Sequence, residues 1–255
     1  EQNMGPARQS RYEQVCVEFY RAAWRRNLPV DVIGRDDPLD GYQVVLAPML
    51  NLVTPAMVER VRAFVEAGGS FCATFLSGMV DACATCHPGG WPGAGLREVL
   101  GILVEEHDVL YPDDEQVLEG VGDLAGRYPV QQHCDLFHCQ GAEVLARYGA
   151  QFYAGAPAAS VHRVGAGRAY YLGARSAACA DALVAMIAAE HDLTAPMPAE
   201  DGVSVRLRSG DGADYAFLLN WTTGTRRADP GPGWVDAEDG TPIAAALDLG
   251  PLASR

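Results

Sequence analysis

Apolar residues recur with a helical period near the start of the chain. They lie three or four positions apart, and charged residues occupy the positions between them, so one face of a helix would be apolar. The residues with this spacing are Tyr12, Cys16, Phe19 and Ala23. The pattern predicts a helix over residues 10–26, and the apolar run at residues 28–33 predicts a strand after it.

The order of the next segments predicts a parallel βαβ unit. Residues 42–50 and 70–76 are near-continuous apolar runs, which are typical of strands covered on both faces. Between them, Thr54 can cap a helix and Gly68-Gly69 can end it. A strand, a capped helix and a second strand normally form a right-handed crossover between parallel strands.

Shorter apolar runs after residue 100 predict further strands and a final helix. The strands are expected at residues 102–110, 142–148, 158–164 and 168–173, and the helix at residues 176–189. The pattern then changes at a Pro-rich linker, Ala195-Pro196-Met-Pro198, after which strands at residues 203–208 and 215–220 alternate around a turn. We therefore expect two domains, residues 1–196 and residues 197–255. The first is α/β with a doubly wound, mostly parallel sheet, and the second is a small antiparallel β domain.

Composition and charge exclude several classes of protein. The chain has 255 residues, of which 49% are hydrophobic, and this apolar content excludes wholesale disorder. The net charge of −14 argues against a nucleic-acid or anionic-membrane partner, because phosphate binding needs clustered positive charge. No apolar run approaches the roughly 18–20 residues of a membrane span, and no signal peptide is apparent. We expect a cytoplasmic protein with no nucleic-acid or membrane partner.

A cluster of Cys and His residues is the strongest local signal for a bound group. Cys83-Ala-Thr-Cys86-His87 has the spacing of covalent haem attachment, but that chemistry follows export and no export signal is seen. Thiolate and imidazole also suit a tetrahedral zinc site. The zinc candidates are Cys83, Cys86, His87, Cys134, His138 and Cys139, with His133 beside them. Unligated Cys and His residues in a variable loop are the alternative.

Signatures of nucleophilic catalysis and of phosphate binding are missing. A nucleophile elbow needs Gly-x-Ser-x-Gly or Gly-x-Cys-x-Gly, and the chain contains neither. It also contains no Gly-x-Gly-x-x-Gly after an early strand and no P-loop. The pattern of residues alone therefore predicts no catalytic residue and no cofactor.

Several segments together resemble a known family. Examples are Leu39-Asp-Gly-Tyr-Gln-Val-Val-Leu-Ala-Pro-Met-Leu50 and Phe217-Leu-Leu-Asn220. The other matching segments are residues 20–33, 61–69, 77–81, 96–102, 143–148 and 165–173. Taken in chain order, these segments resemble the carboxy-terminal half of a family 42 glycoside hydrolase, which is a β-galactosidase family. The resemblance covers nearly the whole chain.

The resemblance implies a fold, a partner and a role. It implies a class I glutamine amidotransferase-like, flavodoxin-like domain that drives trimerisation, followed by the antiparallel domain. In that family a preceding β/α barrel carries both catalytic Glu residues, so no residue of this chain inherits a catalytic role. The chain is then a non-catalytic part of a homotrimeric hydrolase that meets β-galactosides only through a barrel. The loop containing Ser77, Gly78 and Asp81 is expected to face that barrel or a neighbouring subunit.

Two other functions stay open. The chain could be a stand-alone amidotransferase-like enzyme or a zinc-binding α/β protein that uses the Cys/His cluster. A carbohydrate-binding role is suggested by Trp91, Trp221 and Trp234, although most Trp residues are packed inside proteins.

Overall fold

The computed structural model describes residues 11–243 and 246–253. The chain divides into two compact units. Of the described residues, unit 1 contains residues 11–19 and 32–191, and unit 2 contains residues 20–31, 192–243 and 246–253. Unit 2 is therefore built from two segments that lie far apart in the sequence.

Unit 1 is organised around a seven-stranded sheet and a separate two-stranded ribbon. In chain order the elements up to residue 190 are α1 (Tyr12–Trp24), β1 (Val44–Ala47), α2 (Pro55–Glu66), β2 (Ser70–Thr74), α3 (Leu96–Leu100), β3 (Ile102–Val109), β4 (Val117–Gly120), β5 (Gly126–Pro129), β6 (His133–Cys139), β7 (Glu143–Tyr148), β8 (Pro157–Val164), β9 (Gly167–Leu172) and α4 (Ala177–Glu190). The boundary between the units falls within α1. The seven-stranded sheet has the strand order β1-β2-β9-β8-β7-β4-β5, and β3 and β6 form the ribbon.

The sheet is mixed, so the prediction of a doubly wound, mostly parallel sheet of the amidotransferase-like or flavodoxin-like type is wrong. Strand β2 pairs in parallel with β1 and β9, whereas β8, β7, β4 and β5 follow in antiparallel pairs. The cause lies in the connections. A tight turn at Gly165, with φ of 59°, joins β8 to β9, whereas a parallel pair needs a crossover of roughly a dozen or more residues.

The predicted βαβ unit is confirmed. β1 and β2 pair in parallel, with Val44 opposite Ser70, and α2 connects them. The Thr54 hydroxyl accepts a hydrogen bond from the Met57 amide at 3.3 Å, and proline occupies the start of the helix. This cap satisfies one of the amide groups that a helix leaves unpaired at its first turn.

The strand predicted at residues 28–33 is not formed. A strand requires a hydrogen-bonded neighbour, and none of the described strands pairs with this segment. Its apolar residues do not all reach a core, since the Val32 side chain is 89% exposed.

The core of unit 1 lies between the parallel strands and the helices α2 and α3. Val61 and Val65 of α2 and Leu100 of α3 pack with Phe71 of β2 and Tyr171 of β9. Burying one such side chain stabilises the fold by about 1.5–3 kcal/mol. This packing fixes the carboxyl ends of β1, β2 and β9, where polar side chains converge.

Unit 2 contains three antiparallel ribbons, of which the alternating pattern predicted the first. They are formed by β10 (Val203–Gly210) with β11 (Ala213–Asn220), β12 (Arg226–Ala228) with β15 (Leu247–Leu249), and β13 (Trp234–Val235) with β14 (Pro242–Ile243). The buried Asn27 side chain donates to the Val203 carbonyl at 3.0 Å and accepts from the Val205 amide at 2.9 Å. These two hydrogen bonds satisfy backbone groups of β10 that a neighbouring strand would otherwise pair. No helix within residues 11–243 or 246–253 is both long enough and apolar enough to cross a bilayer.

Candidate functional site

The carboxyl ends of the parallel strands are the usual ligand-binding edge of an α/β sheet. In this protein, side-chain hydroxyl groups hold the backbone of that edge. The Thr74 hydroxyl accepts from the Met49 amide at 2.8 Å, and the Ser77 hydroxyl accepts from the Leu50 amide at 3.0 Å. Both hydroxyl groups are fully buried and serve the backbone.

The loop at residues 77–93 follows this edge and packs closely on itself. Gly78 has φ of +70°, and a Cβ at this position would lie 2.7 Å from Cβ of Pro92. The Gly78 amide also donates to the Leu50 carbonyl at 2.8 Å. Ser77 and Gly78 are buried and Asp81 is half-buried, so Asp81 is the member of the predicted contact loop that reaches solvent. Its contact with a barrel or a neighbouring subunit stays a prediction.

Asp81 organises the turn that carries the Cys-x-x-Cys motif. Its Oδ1 accepts from the amides of Cys83 at 2.8 Å and Thr85 at 3.0 Å. These hydrogen bonds lower the pKa of the Asp81 carboxyl because they stabilise its charged form, and the bond from Thr85 has the larger effect. The turn leaves Cys83 and Cys86 exposed as free thiols.

The six zinc candidates are not brought together by the fold. Cys83, Cys86 and His87 lie in the loop, whereas Cys134, His138 and Cys139 lie on β6. The exposed His138 Nε2 lies 2.8 Å from Glu105, and burial raises the pKa of Cys134 to about 12, which disfavours the thiolate that binds metal. Within residues 11–243 and 246–253 no group of three His, Cys, Asp or Glu side chains is arranged to hold a metal ion. The zinc site stays a prediction without a preformed ligand set in that part of the chain.

The three Trp residues that suggested a carbohydrate-binding role lie in different environments. Trp91 and Trp234 are half-buried and pack against the hydrophobic cores of their units. Trp221 is 57% exposed, and its indole nitrogen donates to the Ser204 hydroxyl at 2.9 Å. A packing role accounts for the first two.

A buried carboxylate of unit 1, Asp135, belongs to no motif that the sequence indicated. Asp135 of β6 is fully buried and accepts hydrogen bonds on both oxygens. Its Oδ1 lies 2.5 Å from His107 Nδ1, while its Oδ2 accepts from the Leu76 amide at 3.1 Å and from the Tyr171 hydroxyl. A buried charge persists only when it is paired and hydrogen-bonded in this way.

Two imidazole rings extend this network. His107 Nε2 lies 3.0 Å from His133 Nδ1, and His133 stacks on Phe75 with a ring separation of 5.1 Å. Burial, with smaller effects from the charges of His107 and Arg175, lowers the pKa of His133 to about 3. His133 is therefore neutral near pH 7, and its Nε2 has no hydrogen-bond partner among the described residues.

An acid and two imidazoles in line could relay a proton to a nucleophile. No Ser, Cys or Thr of the described residues is hydrogen-bonded to the terminal His133 Nε2. The network instead links the β3–β6 ribbon to β9 and to the chain after β2. His133, Cys134 and Asp135 are three consecutive buried positions on β6, so no alternation of buried and exposed residues marked the network, and the partner His107 comes from another strand.

A loop at residues 149–156 presents the most exposed aromatic side chain among the described residues. The Phe152 side chain is 80% exposed, although the loop that carries it is held by hydrogen bonds on both sides. Gln116, only 6% exposed, donates to the Ala150 carbonyl at 2.8 Å and accepts from the Ala150 amide at 2.9 Å. Aromatic residues are enriched among the anchors of protein interfaces, and a backbone that is already held in place lowers the entropy cost of binding.

Comparison with known proteins gives a consistent family. Residues 1–194 match the model described as the β-galactosidase trimerisation domain. β-Galactosidase BglY of Alicyclobacillus acidocaldarius is 46% identical over 226 residues, which are 84% of this chain and 32% of that protein. β-Galactosidase Pbg of Clostridium perfringens is 34% identical over 97% of this chain and 37% of its own length.

Solved structures agree with the mixed-sheet fold. The β-galactosidase of Bacillus circulans sp. alkalophilus matches with a TM-score of 0.92 and 32% identity, over 99% of this chain and 38% of that one. A catalytic mutant of Gan42B, a GH42 β-galactosidase from G. stearothermophilus, matches with a TM-score of 0.90 and 31% identity, over 98% of this chain and 36% of that one. The chain thus spans about a third of the length of the relatives it matches.

Proposed function

Since the chain belongs to the β-galactosidase trimerisation domain family of GH42 enzymes, we propose that it joins three copies of a β-galactosidase polypeptide and does not itself cleave glycosides. The observation that carries this proposal is the family match over residues 1–194, together with a shared fold along 99% of the chain.

The architecture of the described residues supports a non-catalytic role. Their strands form one seven-stranded mixed sheet and four two-stranded ribbons, without a β/α barrel. Hydrolysis of a glycosidic bond uses two carboxyl groups that flank it at a separation of roughly 5–9.5 Å. Among the described residues the one fully buried carboxylate is Asp135, and its two oxygens are engaged by His107, Leu76 and Tyr171. In our proposal, β-galactosides are hydrolysed by a barrel on the complete polypeptide, and this chain holds the barrels together.

The native mass of the 255-residue chain tests the proposal. Light scattering after gel filtration should give about three times 27.2 kDa. A monomer at every concentration up to the millimolar range would overturn trimerisation by these units. Robust hydrolysis of a chromogenic β-galactoside by the pure chain would overturn the non-catalytic role.

A further inference from the structure

The loop that carries Phe152 is preorganised by bonds from several directions. At its base, the Gly155 amide donates to the Tyr148 carbonyl at 2.7 Å. The Arg147 guanidinium donates to the Gly155 carbonyl at 2.7 Å, and the Gln151 side chain donates to the Glu115 carbonyl at 3.0 Å. Gln116 fixes the other end of the loop, as described above. The backbone next to Phe152 is therefore held in place without help from the Phe152 side chain.

The neighbouring aromatic ring fixes the direction of the loop tip. Tyr153 donates its hydroxyl hydrogen bond to Asp108 at 2.8 Å and packs edge-on against Tyr148 at 4.9 Å. Phe152 meets the Tyr153 ring edge-on at 4.8 Å and is otherwise exposed to solvent. A large apolar group that is exposed on an already ordered loop loses little further freedom on binding, which is the property of an interface anchor.

A closed trimer restricts where such an anchor can bind. Three copies around a threefold axis make head-to-tail contacts, in which two different surfaces of each copy meet. An anchor on one surface therefore needs a receptor on a second surface of the same chain.

Unit 2 offers a receptor with matching chemistry. A cleft of about 330 Å³ is lined by apolar residues that include Met197 and Pro198, by the polar residues Asn27 and Thr194, and by the basic residues Arg25 and Arg26. Its volume is at the lower end of the range for ligand pockets and suits one aromatic side chain.

The charges around the two surfaces are opposite. The segment beside the Phe152 loop contains three exposed acidic residues in sequence, Asp113, Asp114 and Glu115. The cleft has two arginines, although the chain as a whole carries a net charge of −14. Such complementarity orients partners and suppresses wrong pairings.

We infer that Phe152 of one copy inserts into the Arg25- and Met197-lined cleft of the next copy, and that this contact closes the trimer. The inference rests on the proposed trimerisation. It adds to that proposal the anchor, its receptor and the direction of the contact.

Truncation of the anchor is the first test. The Phe152→Ala trimer should dissociate at a protein concentration at least about tenfold higher than that at which the wild-type trimer dissociates. Truncating an anchor residue removes about 1.4 kcal/mol or more of binding free energy per contact. Phe217→Ala is the matched control, since Phe217 is 49% exposed on β11 and has no part in the contact. The monomer of both variants should unfold at the wild-type temperature.

The outcomes separate the two proposals. A wild-type chain that is monomeric at all concentrations overturns trimerisation and the contact together. A trimeric wild type with an equally stable Phe152→Ala trimer overturns the contact alone.

A charge exchange tests the receptor. Arg25→Glu and Glu115→Arg should each weaken the trimer, and the double variant should recover at least part of the loss, because each contact then again pairs opposite charges. A double variant whose loss equals the sum of the two single losses would overturn the cleft as the receptor.

Discussion

Asp135 and His107 are joined by a 2.5 Å contact between Oδ1 and Nδ1 in the interior of unit 1, where the side chains are 0% and 7% exposed. This pair links the ribbon formed by β3 and β6, since His107 lies on β3 and Asp135 on β6. The other carboxylate oxygen binds the Leu76 amide and the Tyr171 hydroxyl, so the same group also holds β9. One side chain thus connects three parts of the unit.

Replacement of this carboxylate should be strongly destabilising. Both oxygens of Asp135 accept hydrogen bonds, so the NH₂ group of Asn in Asp135→Asn must face a donor on one side. We expect the free energy of unfolding to fall by about 3–5 kcal/mol in urea denaturation. The control substitution Asp113→Asn, at an exposed position, should change the free energy of unfolding by less than about 0.5 kcal/mol. A loss below about 1 kcal/mol for Asp135→Asn would contradict the role given to the network.

His133 should make the stability of the protein depend on pH. Its pKa is about 3 in the folded protein, against an ordinary value of 6.5. Between these values the unfolded chain binds the proton and the folded chain does not. Stability is therefore complete above about pH 6.5 and decreases as the pH falls towards 3, by up to about 1.4 kcal/mol per pH unit.

The slope of stability between pH 7 and pH 5 measures this effect. His133→Gln removes the titrating ring, so its unfolding free energy should fall less steeply with acidification than that of the wild type. His138→Gln is the control, because His138 has a 66% exposed side chain and its removal should leave most of the slope. Parallel curves for wild type and His133→Gln would contradict the prediction.

Five of the seven cysteines should fall into two distinct groups in their reaction with thiol reagents, and the half-buried Cys16 and Cys139 should react at intermediate rates. Burial raises the pKa of Cys72, Cys134 and Cys179 to about 12, so almost none of their thiolate form is present near pH 8. Cys83 and Cys86 are exposed. We expect the double variant Cys83→Ser/Cys86→Ser to lose the fast phase of reaction with a chromogenic disulfide.

Cys72→Ser provides the comparison, since it should keep the fast phase unchanged. Unfolding in guanidinium should then release the slow thiols in every variant. A fast phase that survives the double substitution would mean that another cysteine is open to solvent.

Two glycines of one loop separate a backbone cost from a steric cost. Gly78 and Gly89 both have positive φ, of 70° and 84°. A Cβ at Gly78 would lie 2.7 Å from the Pro92 side chain, whereas a Cβ at Gly89 would meet nothing within 4 Å. Gly89→Ala should cost about 1 kcal/mol for the backbone conformation alone, and Gly78→Ala at least about 1 kcal/mol more. Equal losses in thermal unfolding would show that the loop relaxes around the added methyl group.

Local signals predicted the elements of the fold better than their arrangement. Thr54 and Ser176 cap the helices that the sequence indicates, because a cap depends on neighbours within three residues. The direction of β8 depends instead on the short connection between β8 and β9. The doubly wound prediction assumed that the other strands would be parallel like β1 and β2, although the sequence indicated only one βαβ unit. The buried network was hidden for a related reason. His133 lies beside the zinc candidates in the sequence, but its partner in the structure, His107, becomes adjacent only when β3 pairs with β6.

The two bonds of the Asn27 side chain to β10 also constrain how the protein is made. During synthesis, Asn27 leaves the ribosome 176 residues before its partner Val203. Unit 1 can complete its sheet once residue 191 has emerged, whereas Asn27 must wait until Val203 and Val205 of β10 have also emerged. Folding on the ribosome should therefore proceed in two stages. Chains that end at residue 194 and have been released from the ribosome should carry a folded sheet and an Asn27 amide still open to water.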